Sequence, residues 1–230
     1  LLYQEGTPMT RLANAEDDII AALEALEAEL GAQNSEMAHV AEAGKPDRPS
    51  GEPTLDNLAA VMGNMLPENA IVVDESVTTG RGFFPATAGA ARHDWLNNRG
   101  GSIGFGMPVA LGAAVAAPDR KVVLLEGDGS GMYTIQSLWS MAREQLDVTT
   151  IVFSNRSYKI LRGELSNVGV QNPGPRAIDM LTLDRPDLGW VDMAKGMGVD
   201  GEQVSDCEGL MRAMEAGLQT DGPYLIDLVM

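Results

Sequence analysis

A single cysteine, Cys207, stands in 230 residues. That excludes an internal disulfide and any cysteine-based zinc site, and makes a reducing cytoplasm the expected compartment. Basic residues are scarce too: 16 Lys and Arg against 33 Asp and Glu, for a formal net charge of −17. The deficit is uneven, with ten acids to three bases in residues 1–50 and 23 to 13 in residues 51–230. This argues against a nucleic-acid partner, because phosphate backbones demand clustered Lys and Arg. Long apolar runs are also missing. The longest weakly polar stretch, Ile103 to Pro118, has 16 residues and is broken by Gly104, Gly106, Pro108 and Gly112, so no membrane span is expected. The chain has no signal peptide and no internal repeat, and it begins at Leu1 rather than Met, so it reads as a fragment of a longer protein. Core-forming residues are ample, at 44% hydrophobic.

Asn14 can cap a helix whose apolar face is Ile19, Ile20, Leu23, Leu26 and Leu30 and which Gly31 ends. Residues 32–53 carry Gly, Pro, Ser and mixed charge without periodicity and read as a linker. From Thr54 the pattern becomes regular. A capped helix to Leu66 leads to strand Ala70–Asp74, and a helix starts near Phe105. Strand Lys121–Glu126, helix Met132–Glu144, strand Val148–Phe153, helices near Trp190–Gly198 and Cys207–Leu218, and strand Tyr224–Val229 follow. Near-continuous apolar strands alternating with helices predict an α/β fold: a doubly wound, mostly parallel sheet with helices on both faces. Residues 163–188, polar and rich in Pro and Gly, read as an active-site or mobile loop.

Two strand ends carry the chemistry. The first strand of interest runs into Gly127-Asp128-Gly129-Ser130, the second into Ser154-Asn155-Arg156-Ser157. Asp128 and Asn155 lie 27 residues apart at equivalent points, which a parallel βαβ unit makes neighbours at the carboxyl edge of the sheet. One carboxylate and one amide oxygen suit Mg²⁺, which takes its remaining ligands from phosphate and water. The flanking glycines allow close approach to phosphate oxygens, and the following helix N-terminus favours negative charge. Glycines also crowd the segment 100–106, ahead of Pro108. Clustered hydroxyls at Asp74-Glu-Ser-Val-Thr-Thr79 mark a third strand end. A lone His93 in Arg-His-Asp-Trp reads as a surface or hydrogen-bonded residue, and the scattered methionines as packing. No Gly-x-Gly-x-x-Gly turn with a following acid supports a dinucleotide site.

Gly-Asp-Gly followed by this asparagine resembles the motif of thiamin-diphosphate enzymes, Gly-Asp-Gly then Asn-Asn, with the first Asn replaced here by Ser154. From about Gly51 to Met230 the chain is similar to the cofactor-diphosphate (PP) domain that ends the acetolactate synthase, benzoylformate decarboxylase and pyruvate decarboxylase group. Residues 1–31 are similar to the tail of that group's central domain. The resemblance implies Mg²⁺ ligands at Asp128, Asn155 and the carbonyl of Ser157. It also implies diphosphate contacts from Thr78, Ser130 and Tyr133, and cofactor contacts from Gly127, Gly129 and Tyr158. Gly101 and Ser102 would support the aminopyrimidine ring, and Ile103 would prop the bent cofactor. Ile160, Leu161 and Glu164 would line the substrate pocket, with an exposed helix acid an equal reading of Glu164. No catalytic residue is expected in this chain, because the activating Glu of the family sits on an N-terminal pyrimidine-binding (PYR) domain that this chain lacks. The implied partner is the PYR domain of a second subunit, in a homodimer or homotetramer, and the implied substrate is a small 2-oxo acid. FAD in a central domain is compatible with the family, but no residue here speaks for it. Three outcomes stay open: acetolactate-synthase-like carboligation, benzoylformate-decarboxylase-like decarboxylation, and a degenerate assembly module.

Overall fold

The computed structural model describes residues 6–36, 41–98 and 100–230. They fall into two compact units, Leu1–Ala41 and Glu42–Met230. In the first, helix α1 (Ile19–Glu29) starts at Asp18, whose carboxylate accepts the N–H groups of Ile20 and Ala21. Asn14, the expected cap, instead closes a turn by donating its backbone and side-chain N–H to Asp17. That engages Asp17 and leaves the next acid to cap the helix. No residue of α1 is buried.

The second unit starts inside the stretch read as a linker. Its first residues run extended along the body: Gly44 donates to Gly89 O at 2.8 Å, and Cys207 donates to Gly51 O at 2.9 Å. Then come α2 (Leu55–Met65), β1 (Ala70–Glu75), α3 (Phe83–Ala86), β2 (His93–Asn97), α4 (Gly106–Ala116) and β3 (Val122–Gly127). The short α5 (Asp128–Gly131), α6 (Ser137–Arg143), β4 (Val148–Ser154), α7 (Lys159–Asn167) and α8 (Pro175–Asp179) follow. The chain closes with α9 (Trp190–Gly196), β5 (Asp200–Val204), α10 (Cys207–Gln219) and β6 (Tyr224–Val229).

The six strands form one sheet in the order β2-β1-β3-β4-β6-β5, every pair parallel. Successive side chains of a strand face opposite sides, so β3 feeds two cores. Val123 and Leu125 pack with Leu58, Met62, Leu210 and Met214 of α2 and α10. Val122 and Leu124 pack with Met107, Leu138, Met141 and Trp190 of α4, α6 and α9. From β1 the chain first builds outward to β2, then returns to lay β3 on the other side of β1. That reversal opens a crevice beyond the carboxyl ends of β1 and β3, where open α/β sheets bind ligands. Among the described residues no helix is long and apolar enough to cross a membrane.

Two further expectations need correction. The helix read at Met132–Glu144 is interrupted, and residues 132–136 form turns between α5 and α6. The cause is tertiary: Thr134 Oγ1 donates to the carbonyl of Gly104 at 2.9 Å, which draws this segment toward the glycine turn. Residues 163–188 are not one structureless loop. They hold most of α7, all of α8, and a bridge from Thr182 to Ser157.

Candidate functional site

Asp128 follows β3 directly and Asn155 follows β4, and these strands pair with Gly127 opposite Phe153. The two motif residues therefore stand side by side at the carboxyl edge. Asp128 is 3% exposed. Its carboxylate accepts Gly129 N–H at 2.9 Å and Arg156 N–H at 2.6 Å, joining the two loops. Arg156 holds φ at 55° to present that N–H. Asn155 Oδ1 accepts Ser157 N–H at 3.0 Å, and the Ser157 carbonyl accepts Lys159 N–H at 2.8 Å. The loop is braced from outside. Leu181 O accepts from Ser157 Oγ and from Tyr158 N–H, both at 3.0 Å, while Leu183 donates to Arg156 O at 2.8 Å.

Burial pushes the Asp128 carboxyl up to about 6; the N–H bonds oppose the rise and the Asp227 charge adds to it. A carboxylate this buried, with no ion-pair partner among the described residues, calls for a cation. No group of three or more His, Cys, Asp or Glu gathers to hold a metal among the described residues, so a cation here takes most of its ligands from elsewhere. That donor set fits Mg²⁺ on a diphosphate. The oxygens of Asp128, Asn155 and Ser157 each accept one hydrogen bond here and keep a second lone pair for the metal.

Beside these residues lies a cleft of about 420 Å³. Of the residues expected to touch cofactor, it gathers Thr78, Ile103, Gly127, Asp128, Gly129, Ser130, Tyr133, Asn155, Ser157 and Tyr158. Gly129 is glycine for a reason of space, since a Cβ there would meet the Tyr158 ring at 2.8 Å. Ile103 is 47% exposed. Ile160 and Leu161 line the same cleft through the first turn of α7.

Three expected residues lie outside this lining. Gly101 and Ser102 are exposed and outside the lining, in a turn closed by Asn98, whose side chain bonds Ser102 N–H at 3.0 Å and Ser102 O at 3.1 Å. Glu164 borders an adjoining groove with Arg81, Lys159 and Arg162 that shares Thr78, Asn155, Ser157 and Ile160 with the cleft, and it accepts from Asn167 at 3.1 Å. His93 sits on β2 against Ala91 O at 2.7 Å, away from the cleft.

Sequence reasoning missed a pair of buried acids, Glu75 and Glu126, which face each other in register at the ends of β1 and β3. Ser130 Oγ donates to Glu126 Oε1, so this hydroxyl is engaged behind the cleft rather than free within it. Glu126 Oε2 has no hydrogen-bond partner among the described residues. Burial and the neighbouring Glu75 charge push the Glu126 carboxyl well above the usual range. Burial also raises Glu75, against the N–H bonds it accepts. The only sequence signal was an acid ending each of two apolar strands.

A family profile described as thiamine pyrophosphate enzyme, C-terminal TPP binding domain, matches residues 83–228. A Mycobacterium tuberculosis protein with the provisional name acetolactate synthase large subunit IlvX is 53% identical over 194 residues, covering 84% of this chain and 38% of its own length. Benzoylformate decarboxylase of Pseudomonas aeruginosa is 33% identical over 190 residues, covering 82% and 33%. Among solved structures, the thiamine diphosphate-dependent 4-hydroxybenzoylformate decarboxylase of Rhodococcus jostii RHA1 superposes with a TM-score of 0.73 at 29% identity, covering 91% of this chain and 39% of that one. The chain thus spans less than two fifths of the length of the curated relatives it matches here. With its all-parallel sheet and its cleft at the ends of β1, β3 and β4, this chain belongs to the thiamine pyrophosphate enzyme family, as a C-terminal TPP-binding domain.

Proposed function

We propose that this chain holds Mg²⁺ and the diphosphate of thiamin diphosphate in an acetolactate-synthase-like enzyme that acts on a 2-oxo acid. The observation that carries the reading is the buried Asp128 carboxylate. It takes part in no ion pair among the described residues, stands beside Asn155, and opens on the cleft that Ile103 also lines. Asp128, Asn155 and the Ser157 carbonyl would ligate the metal. Thr78 and the backbone of residues 127–130 would receive the phosphate oxygens. When bound, the cofactor supplies the electron sink for loss of CO₂ from the substrate. The chain's own groups bind, orient and exclude water: Ile103 supports the ring, and Ile160 with Leu161 forms an apolar wall where the substrate side chain would lie.

In this reading residues 54–230 are the PP domain, residues 32–53 lead into it, and residues 1–31 end a preceding domain. The activating carboxylate comes from the PYR domain of a second subunit, so the 230-residue chain alone binds Mg²⁺–diphosphate weakly and decarboxylates nothing. Measurable 2-oxo acid decarboxylation by the pure chain would refute that. A benzoylformate-decarboxylase-like activity is the second reading, favoured by the R. jostii structural likeness. Product analysis of the full-length protein separates the two: acetolactate or an acyloin against an aldehyde.

The first test is calorimetric titration of the chain with Mg²⁺ and pyrophosphate, in parallel with EDTA and with Asp128→Ala. Binding that needs Mg²⁺ and disappears in the variant supports the reading. Binding unaffected by either treatment refutes the metal assignment.

A further inference from the structure

The turn that carries Ile103 is gripped from below by a carboxyl group that neither metal nor diphosphate requires. Glu75 is 2% exposed. It accepts the N–H of Gly104 on Oε1 at 2.6 Å and the N–H of Gly106 on Oε2 at 2.5 Å. α4 begins at Gly106 and its own N-cap residue, Phe105, offers no side-chain hydrogen bond. Glu75 therefore caps α4 from another strand, across 29 to 31 residues of sequence. On the opposite side Thr134 Oγ1 holds the Gly104 carbonyl at 2.9 Å.

The space is fully used. A Cβ on Gly106 would meet Glu126 Oε2 at 2.5 Å and Glu75 Oε2 at 2.8 Å, and one on Gly104, where φ is +88°, would meet Tyr133 Cβ at 2.7 Å. Ile103, by contrast, is half exposed and outside both apolar cores. Lying outside those cores, it takes its direction from the turn behind it. An apolar residue at position 75 would end the strand without bringing a second carboxyl beside Glu126. Burying a carboxylate there is expensive unless its hydrogen bonds matter.

We infer that Glu75 is a positioning residue for the ring half of the cofactor site. It fixes the Gly104–Gly106 turn so that Ile103 projects into the cleft, while Asp128 and Asn155 serve the diphosphate half. This rests on the cofactor reading above.

The experiment titrates the 230-residue chain, in Mg²⁺, with thiamin diphosphate and separately with pyrophosphate, which probes the metal half alone. Glu75→Gln keeps the volume and one acceptor but sets an NH₂ against one of the two N–H donors. Losing one charge-assisted bond predicts thiamin diphosphate binding weakened about tenfold or more, with pyrophosphate binding within about twofold. Thr134→Val, which loosens the same turn from its other side and leaves Glu75 in place, should give the same pattern at about two- to fivefold; it decides the matter if the Gln variant does not fold. Equal losses for both ligands, or unchanged thiamin diphosphate binding, overturn the assignment of Glu75. Failure of the unaltered chain to bind Mg²⁺ and pyrophosphate overturns the cofactor reading, and this inference with it.

Discussion

Replacing Asp128 with Asn should make the metal-free chain more stable. The carboxyl is 3% exposed and its pKa is raised from 3.8 to about 6, chiefly by burial. At 1.36 kcal/mol per unit, the ionised form is held against a penalty of about 3 kcal/mol. The sign follows from proton counts. Between pH 3.8 and about 6 the folded chain keeps a proton that the unfolded chain has released, so stability falls as pH rises through that window and is flat above it. Asn carries no charge to desolvate, but its NH₂ opposes one of the two N–H groups that Asp128 now accepts, at a cost of about 1–1.5 kcal/mol. The net gain above pH 7 is about 1–2 kcal/mol, a rise in Tm of about 3–6 °C for a chain of this size. The assay is thermal and urea unfolding in EDTA from pH 4 to 8. Glu75 and Glu126 titrate in both proteins, so the difference curve isolates Asp128. The difference should change sign between about pH 4.5 and 5, with the variant the less stable protein at pH 4, and should reach its full size by pH 7. With Mg²⁺ and pyrophosphate the order should invert, because only the unaltered chain gains a ligand. A variant less stable than the parent in EDTA at pH 7.5, or a difference independent of pH, would refute the argument.

Three further outcomes are expected. Ile103→Ala should leave unfolding free energy within about 1 kcal/mol, because the side chain is half exposed in the free chain. It should weaken thiamin diphosphate by about 2 kcal/mol, about thirtyfold, and leave Mg²⁺–pyrophosphate untouched; equal losses by calorimetry would exclude a ring contact. Trp190 is fully buried, with an indole N–H that has no partner among the described residues, so Trp190→Phe should lose less than about 1.5 kcal/mol in urea unfolding where Trp190→Ala loses about 3–5 kcal/mol; equal losses would mean the N–H has a partner. Arg156 sits at φ 55°, and its side chain makes an exposed ion pair with Asp187. Arg156→Gly should gain up to about 1 kcal/mol and keep Mg²⁺–pyrophosphate affinity, since Asp128 accepts a backbone N–H there; loss of that affinity would give the guanidinium a role.

The inner strands were legible in the sequence and the outer ones were not. β1, β3, β4 and β6 are buried on both faces, and each shows as an apolar run within a residue of its expected bounds. β2 and β5 lie at the two edges of the sheet, where His-Asp-Trp-Leu-Asn and Asp-Gly-Glu-Gln-Val need no apolar periodicity. The helix expected from Met132 fails for a related reason: the pattern suits a helix, but Thr134 and Tyr133 engage the Gly104 turn. Its continuation at Ser137 was readable, and the break was not.

The site divides in the same way. Asp128 and Asn155 were legible because their chemistry is written locally, as a ligand at the end of a strand beside glycine or turn residues. Glu75 and Glu126 are written in the same manner, yet their work depends on the start of α4 packing across the ends of β1 and β3. Four carboxyls, Asp74, Glu75, Glu126 and Asp128, crowd this edge, each with its pKa raised by burial. None takes part in an ion pair among the described residues. Such a cluster opposes folding unless each member is answered. Asp74 is answered by Ser76, and Glu75 by the glycine turn. Glu126 bonds Ser130, and its raised pKa favours the neutral form. Of the four, only Asp128 lines the cleft. The acid left most dependent on an external charge is therefore the one a cation can reach, while the buried pair behind it serves the geometry of the turn.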